Sequence, residues 1–223
     1  PPLPPGDVLV HCGDFTNHGS LLEVKHFARW LAEQPHAAKV VVPGNHDMLL
    51  DRAYYDDYWG DWSPRKESHE EAVAEFTSRG VHLLLDASAE VMGLRVYGSP
   101  WVPRYAPWRT AFNREVAAME EVWQSVPSAV DVLLTHTPPR GRGDREPDGK
   151  RTGCPHLARR VMELRPRLHV FGHIHSDYGL FPPGSAEGDR TTSVNAACVS
   201  DGYFVGGRGA IVVDVPLPPS CRL

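Results

Sequence analysis

Short apolar runs separated by helix-period segments dominate this sequence, and that alternation restricts the fold more than any other feature. Residues 7–12 (DVLVHC), 39–42 (KVVV), 81–85 (VHLLL), 130–134 (VDVLL) and 168–171 (LHVF) are brief, β-branched and bounded by turn residues, as buried strands are. Residues 90–98 read as a hairpin turning at Met92-Gly93, and 191–199 and 209–215 as two late strands. Helices are expected over 20–34, 68–80, 110–126 and 154–164. Ser20 and Glu23 stand at capping-box spacing, and Ser68 and Glu71 repeat the device. In the first helix Leu21, Val24, Phe27, Ala28 and Leu31 share one face. Gly80 is placed to end the second. Residues 51–66 read as an aromatic, acidic loop and 138–151 as a charged loop. The alternation predicts an α/β layered fold, and the late strands without helices predict a second sheet packed on the first.

The 223 residues suit one domain spanning 1–223, long enough to bury a large core. A net charge of −5 argues against a basic surface for nucleic acid or anionic membrane. No run approaches 18 apolar residues and no signal peptide is visible, so a cytoplasmic location without a membrane span is expected. The four cysteines (Cys12, Cys154, Cys198, Cys221) are widely spaced and form no C-x-x-C pair. That argues against a zinc knuckle or disulfide scaffold and fits free thiols in a reducing compartment.

Strand after strand ends in a metal-competent residue. The first ends in Asp14, the second in Asn45-His46-Asp47, a later one in His136, and the last of the central set in His173 and His175. Carboxyl ends of strands in a layered α/β fold lie at one edge, where ligand sites form. Gly13, Gly44 and Gly172 precede three of these groups and permit a sharp departure from the sheet. Each ending alone is ordinary turn chemistry. Together Asp, Asn and His make a mixed nitrogen–oxygen donor set that suits manganese, iron or zinc better than calcium.

The order GD (13–14), GNHD (44–47), TH (135–136) and GHIH (172–175) resembles the calcineurin-like metallophosphoesterases. The runs LPPGDVLVHCGDFT, YGSPW, LLTHTPP, RLHVFGHIHSDYG and VNAA are similar to the metallophosphoesterase-domain-containing (MPPED) branch. The resemblance implies a sandwich of two mixed β-sheets flanked by helices, with the ligands on loops at one edge. It implies two divalent ions, manganese first, with iron, zinc or magnesium as alternatives. Asp14 would bridge them, Asn45, His136 and His173 would complete the second site, and His175 would serve the first. His46 would stand beside the scissile phosphate as an acid, with Asp47 orienting its ring. Two such ions, about 3.5–4 Å apart, clamp a phosphate and activate water for in-line attack. The family's opening strand ends in Asp-x-His, which these residues do not contain. The expectation is a strand encoded just before Pro1 that carries it, the alternative being an incomplete first site.

The expected function is hydrolysis of a small phosphodiester, cyclic nucleotides in particular. A nucleotide- or phosphate-binding protein without turnover, a phosphomonoesterase and a nuclease are the rivals. The acidic charge speaks against long nucleic acid. Other polar residues have plainer readings. His11 reads as a core histidine, His18 as a loop residue, and His156 and His169 as helix and strand positions without partners. Arg140, Arg142, Asp144 and Arg145 read as a solvated loop, and Tyr54, Tyr55, Tyr58, Trp59 and Trp101 mainly as packing.

Overall fold

The computed structural model describes residues 2–104, 109–184, 189–200 and 208–217. Strand β1 (Val8–His11) leads through helix α1 (Leu21–Ala32) to β2 (Ala38–Val41). Helices α2 (Arg52–Tyr58) and α3 (His69–Thr77) follow, then β3 (His82–Leu83). These three strands form one sheet, in the order β1-β2-β3 with parallel pairing throughout.

The second sheet has six strands. After β4 (Ala87–Val91) and β5 (Leu94–Ser99) come the short pair β6 (Val102–Pro103) and β7 (Asn113–Arg114), then helix α4 (Met119–Gln124). Strand β8 (Val132–Thr135), helix α5 (Pro155–Leu164), β9 (Leu168–Phe171), β10 (Gly179–Phe181) and β11 (Thr192–Asn195) complete the described elements. The order is β10-β11-β9-β8-β5-β4, parallel in the centre and antiparallel at both edges.

Strand alternation explains the layers. Val40 and Val42 from the first sheet meet Val96, Val132, Leu134, Val170 and Val194 from the second in one core between the sheets. Val41 faces the other way and packs with Val24, Ala28 and Leu31 of α1 and Phe76 of α3. Tyr97 and Leu133 likewise face outward, onto Trp123 of α4 and Leu157 and Val161 of α5. Each fully buried apolar side chain of this size contributes roughly 1.5–3 kcal/mol. The α/β/β/α sandwich is the expected one, with the difference that the smaller sheet is parallel rather than mixed.

Several local expectations need correction. Ser20 and Glu23 do form the reciprocal capping box. Ser68 accepts from the backbone N of Glu71, but the Glu71 carboxylate takes the Lys25 ammonium at 2.6 Å instead of closing a second box. The helix expected over 110–126 starts only at Met119. Before it, the Asn113 side chain accepts from the backbone N and the hydroxyl of Thr110, and Phe112 holds a left-handed φ of 55° with its N–H on Asp51. Such side-chain bonds compete with a helix for the same backbone. Part of the loop expected at 51–66 is α2, N-capped by Asp51. Residues 209–215 join no strand pair among the described residues. Ile211, Val213 and Val215 still pack against the core between the sheets, while Val212 faces outward. Cys12 and Cys154 are buried and Cys198 exposed, all three as free thiols; Cys221 lies outside the described residues. Among the described residues, no helix is long and apolar enough to cross a membrane.

Candidate metal centre

The loops after β1, β2, β8 and β9 meet at one edge of the sandwich. Ligand-capable atoms of Asp14, His136 and His173 lie within 4.8 Å of one another. Asn45 joins them through its Oδ1, 3.1 Å from His136 Nε2. His136 and His173 stack edge-on with ring centroids 4.9 Å apart. Four of the expected ligands are thus brought together. His175 is not among the clustered atoms. It opens the turn His175–Asp177, partly exposed, with its carbonyl accepting from Arg208.

The backbone explains how the ligands reach that edge. Asp14 and His173 both adopt left-handed conformations, with φ of 56° and 68°. Such a φ in a non-glycine residue costs energy and concentrates at functional sites. Gly13 and Gly44 make the close approach possible. A Cβ on Gly44 would sit 2.5 Å from the His136 ring and 2.6 Å from the Asp14 nitrogen. A Cβ on Gly13 would sit 2.5 Å from His136 Nδ1. Gly172 is different. Its φ is not left-handed, and a Cβ there would meet only the Cys12 carbonyl, at 3.8 Å. The turn expected at Gly172 is made by His173.

Hydrogen bonds fix the protonation of the site. His136 Nδ1 lies 2.6 Å from the Cys12 carbonyl, which only accepts, so Nδ1 carries a proton. Nε2 then faces Asp14 Oδ2 at 3.2 Å and Asn45 Oδ1 at 3.1 Å. Nε2 and two oxygens converge on a position that a proton on Nε2 holds in the metal-free chain and that a cation can take over. The electrostatics agree. Burial disfavours a charged His136, but the Asp14 carboxylate outweighs it and raises the pKa. Burial also works against ionised Asp14, yet His136 holds its carboxyl below the ordinary range. Burial and the neighbouring His136 lower His173 to about 3, which keeps it neutral and ready to coordinate. The donor set fits a divalent cation with mixed nitrogen and oxygen ligands.

Asp47 has another role than the expected one. Its fully buried carboxylate accepts the backbone N–H groups of Asp14, Thr16 and Gly44 and the Thr16 hydroxyl. Burial and then the charge of Asp14 push it up to about 7. It clamps the first two ligand loops together. The His46 ring is held instead by the Asn17 carbonyl, 3.0 Å from Nδ1, and the His46 backbone N donates to Asp14 Oδ1 at 2.9 Å.

Beside the cluster lies a cavity of about 340 Å³ with His46, Arg104, Asn113, Glu146 and Thr152 in its wall. Sequence reasoning misses the last four, because no strand-end pattern marks β6, β7 or the segment between β8 and α5. Asn195, in the VNAA run, ties the Gly143 and Ile174 carbonyls together and so braces the turn that carries His173. Arg142 and Asp144, read as solvated, are tied internally, to Thr191 and Asp189 and to Arg151. A second cavity of about 540 Å³, lined by Arg95, Asp131 and Arg167, contains none of the clustered residues.

Comparison with known proteins agrees with this geometry. Residues 1–177 match the model of the calcineurin-like phosphoesterase family. The chain is 38% identical to human metallophosphoesterase domain-containing protein 1, over 97% of this chain and 67% of that protein. It is 34% identical to UPF0046 protein C25E10.12 of Caenorhabditis elegans, over 98% of this chain and 76% of that one. A solved structure with 19% identity superposes with a TM-score of 0.62 over 86% of this chain and 79% of that one, which shows a shared fold. The sequence match and the assembled strand-end ligands make this chain a member of the calcineurin-like phosphoesterases, a family of metal-dependent phosphoester hydrolases.

Proposed function

We propose that this chain hydrolyses small phosphodiesters, cyclic nucleotides being the favoured class, with manganese as the favoured metal. In this reading Asp14, Asn45, His136 and His173 hold one divalent cation and Asp14 and His175 contribute to a second. The supporting observation is the convergence of His136 Nε2, Asp14 Oδ2 and Asn45 Oδ1 with no donor but a proton to share. When bound, the ions supply charge neutralisation for the phosphoryl group and an acidified water.

The chain's own residues supply the rest. Cys12 keeps the proton on His136 Nδ1, so Nε2 is the coordinating atom. The Asn17 carbonyl holds the Nδ1 proton of His46 in the same way, so the imidazolium, once formed, would present its second proton on Nε2 to the leaving oxygen. His46 lies in the wall of the cavity, where a general acid must be. Arg104 and Asn113 in that wall are suited to an anionic, hydrogen-bonding ester. A cavity of about 340 Å³ and a net charge of −5 favour a small ester over a long polyanion.

One observation favours a second reading, phosphate-ester binding without turnover: His175 stands outside the cluster. Calorimetry with Mn²⁺, followed by hydrolysis of bis-p-nitrophenyl phosphate, p-nitrophenyl phosphate and cyclic nucleotides, separates these. The proposal expects metal binding and faster turnover of diesters than of the monoester. Faster monoester turnover overturns the phosphodiesterase reading, and ester binding without turnover establishes the second.

A further inference from the structure

We propose that His169 is a positioning residue for the metal ligand His136, acting through the Thr135 hydroxyl. His169 lies on β9 and Thr135 on β8, and both are fully buried. Their neighbours Leu168, Val170 and Leu134 point into the core between the sheets, so His169 and Thr135 face the opposite side. Thr135 Oγ1 is 2.7 Å from the Thr137 carbonyl and 2.9 Å from His169 Nε2. A hydroxyl has one proton and a carbonyl can only accept. Thr135 therefore donates to Thr137, and His169 donates its Nε2–H to Thr135.

This chain closes around the ligand. Thr135 and Thr137 are the two neighbours of His136, and the bond between them holds the backbone in the turn that aims its ring at Cys12 and Asp14. The backbone of His136 is held on either side, by the Ser99 carbonyl and by the N–H of Gly172. What His169 adds is direction. By filling the acceptor side of the Thr135 hydroxyl, it keeps that hydroxyl's proton on Thr137. Burial, with the nearby Arg142 charge, keeps the imidazole neutral in its folded place, at a pKa of about 3. The Nε2–H tautomer leaves Nδ1 as an acceptor. Among the described residues this buried atom has no partner, nor does Ser193 Oγ. Ser193 stands directly opposite His169 in the β9–β11 register. One buried water between the two atoms would satisfy both and complete the relay.

The inference rests on reading Asp14, Asn45, His136 and His173 as ligands of one cation. The test is Mn²⁺ calorimetry on the full chain and on His169→Leu, Thr135→Val, their double variant and His169→Gln, with thermal unfolding measured in chelator. Removing a group that orients a ligand weakens metal binding by about 10- to 100-fold. Each single variant is expected to raise the Kd for Mn²⁺ on the order of tenfold, and the double variant by no more than either. His169→Gln, whose amide can donate to Thr135, is expected to recover most of the affinity. Thr135→Val preserves shape and carries the test if His169→Leu fails to fold. An unchanged Kd in both single variants, whatever their thermal stability, overturns the inference. So does an additive double variant, or a glutamine variant no better than leucine. A wild-type chain that binds no Mn²⁺ refutes the ligand reading itself.

Discussion

The Asp47 carboxylate accepts the backbone N–H of Asp14 at 2.8 Å, so the loop leaving β2 fixes the conformation of the loop leaving β1. The same carboxylate takes the N–H groups of Thr16 and Gly44. Removing it strands three backbone donors, in a buried site, at about 1–3 kcal/mol each. Asp47→Ala is therefore expected to destabilise the metal-free chain by about 3 kcal/mol or more and to weaken Mn²⁺ binding, because Asp14 loses its left-handed anchor. Urea unfolding in chelator and calorimetry measure the two effects. A residue that only oriented the His46 ring would leave both near wild type.

His46 tests the division between holding the metal and using it. Its ring is tied to Asn17 rather than to the clustered ligands, so His46→Ala is expected to leave metal content near wild type. The rate kcat should fall by roughly 10²–10⁴, the range for a positioned acid. The loss should be large for esters with poor leaving groups and small for nitrophenyl esters, whose leaving group needs no proton. Comparing kcat across leaving-group pKa provides the measurement. An equal loss on every ester, or loss of metal, would assign His46 to structure or coordination instead.

The strand ends were legible because a ligand has to be presented where the backbone leaves the sheet, and there a residue type stands out against its apolar run. Asp14, Asn45, His136 and His173 all follow such runs, and the fold brings them together. The partners that set their protonation were not legible. Cys12 and Asn17 act through backbone carbonyls, which every residue carries and no letter marks. Residues 209–215, expected as a strand, show a different gap. Their alternation is real, with Ile211, Val213 and Val215 on the core side, but pairing needs a neighbouring strand edge, which alternation does not specify. Residues 110–118 failed for a local reason, since Asn113 and Asp51 take backbone groups that a helix needs.

Acid should cost the metal-free chain stability through its buried neutral histidines, while Asp47, raised to about 7, works in the opposite direction over the same range. The pKa of His169 is lowered to about 3 in the folded chain, against 6.5 for an ordinary histidine. Between those values the unfolded chain binds the extra proton, so stability rises with pH across the window and is lost as pH falls from 6.5 toward 3. The slope is about 1.4 kcal/mol per pH unit for one group, or about 2 kcal/mol at pH 5. His11, lowered to about 4 by burial, adds a parallel loss. Urea unfolding at pH 7 and pH 5 in chelator isolates the histidine by comparison, since the Asp47 contribution is common to both proteins: from pH 7 to pH 5 His169→Gln should lose less stability than wild type, by about 2 kcal/mol. Identical pH slopes in the two proteins would mean that His169 does not become protonated on unfolding in this range, or is already charged in the folded chain.

Gly44 and Gly172 look alike in the sequence, each preceding a ligand at a strand end, yet the structure separates them. A Cβ on Gly44 would collide with the His136 ring and with Asp14, and neither can move without breaking the ligand cluster. A Cβ on Gly172 has room, and its φ is not left-handed. Overpacking at a closed site costs about 1–3 kcal/mol, and here the displaced atoms belong to the proposed metal ligands. Gly44→Ala is therefore expected to lose at least that much stability and most of its Mn²⁺ affinity. Gly172→Ala should stay within about 1 kcal/mol of wild type, since alanine also restricts the unfolded chain more than glycine does. Parallel urea curves and calorimetry on the two variants make the comparison, and equal damage from both would show that the Gly172 turn is as tightly constrained as the Gly44 contact.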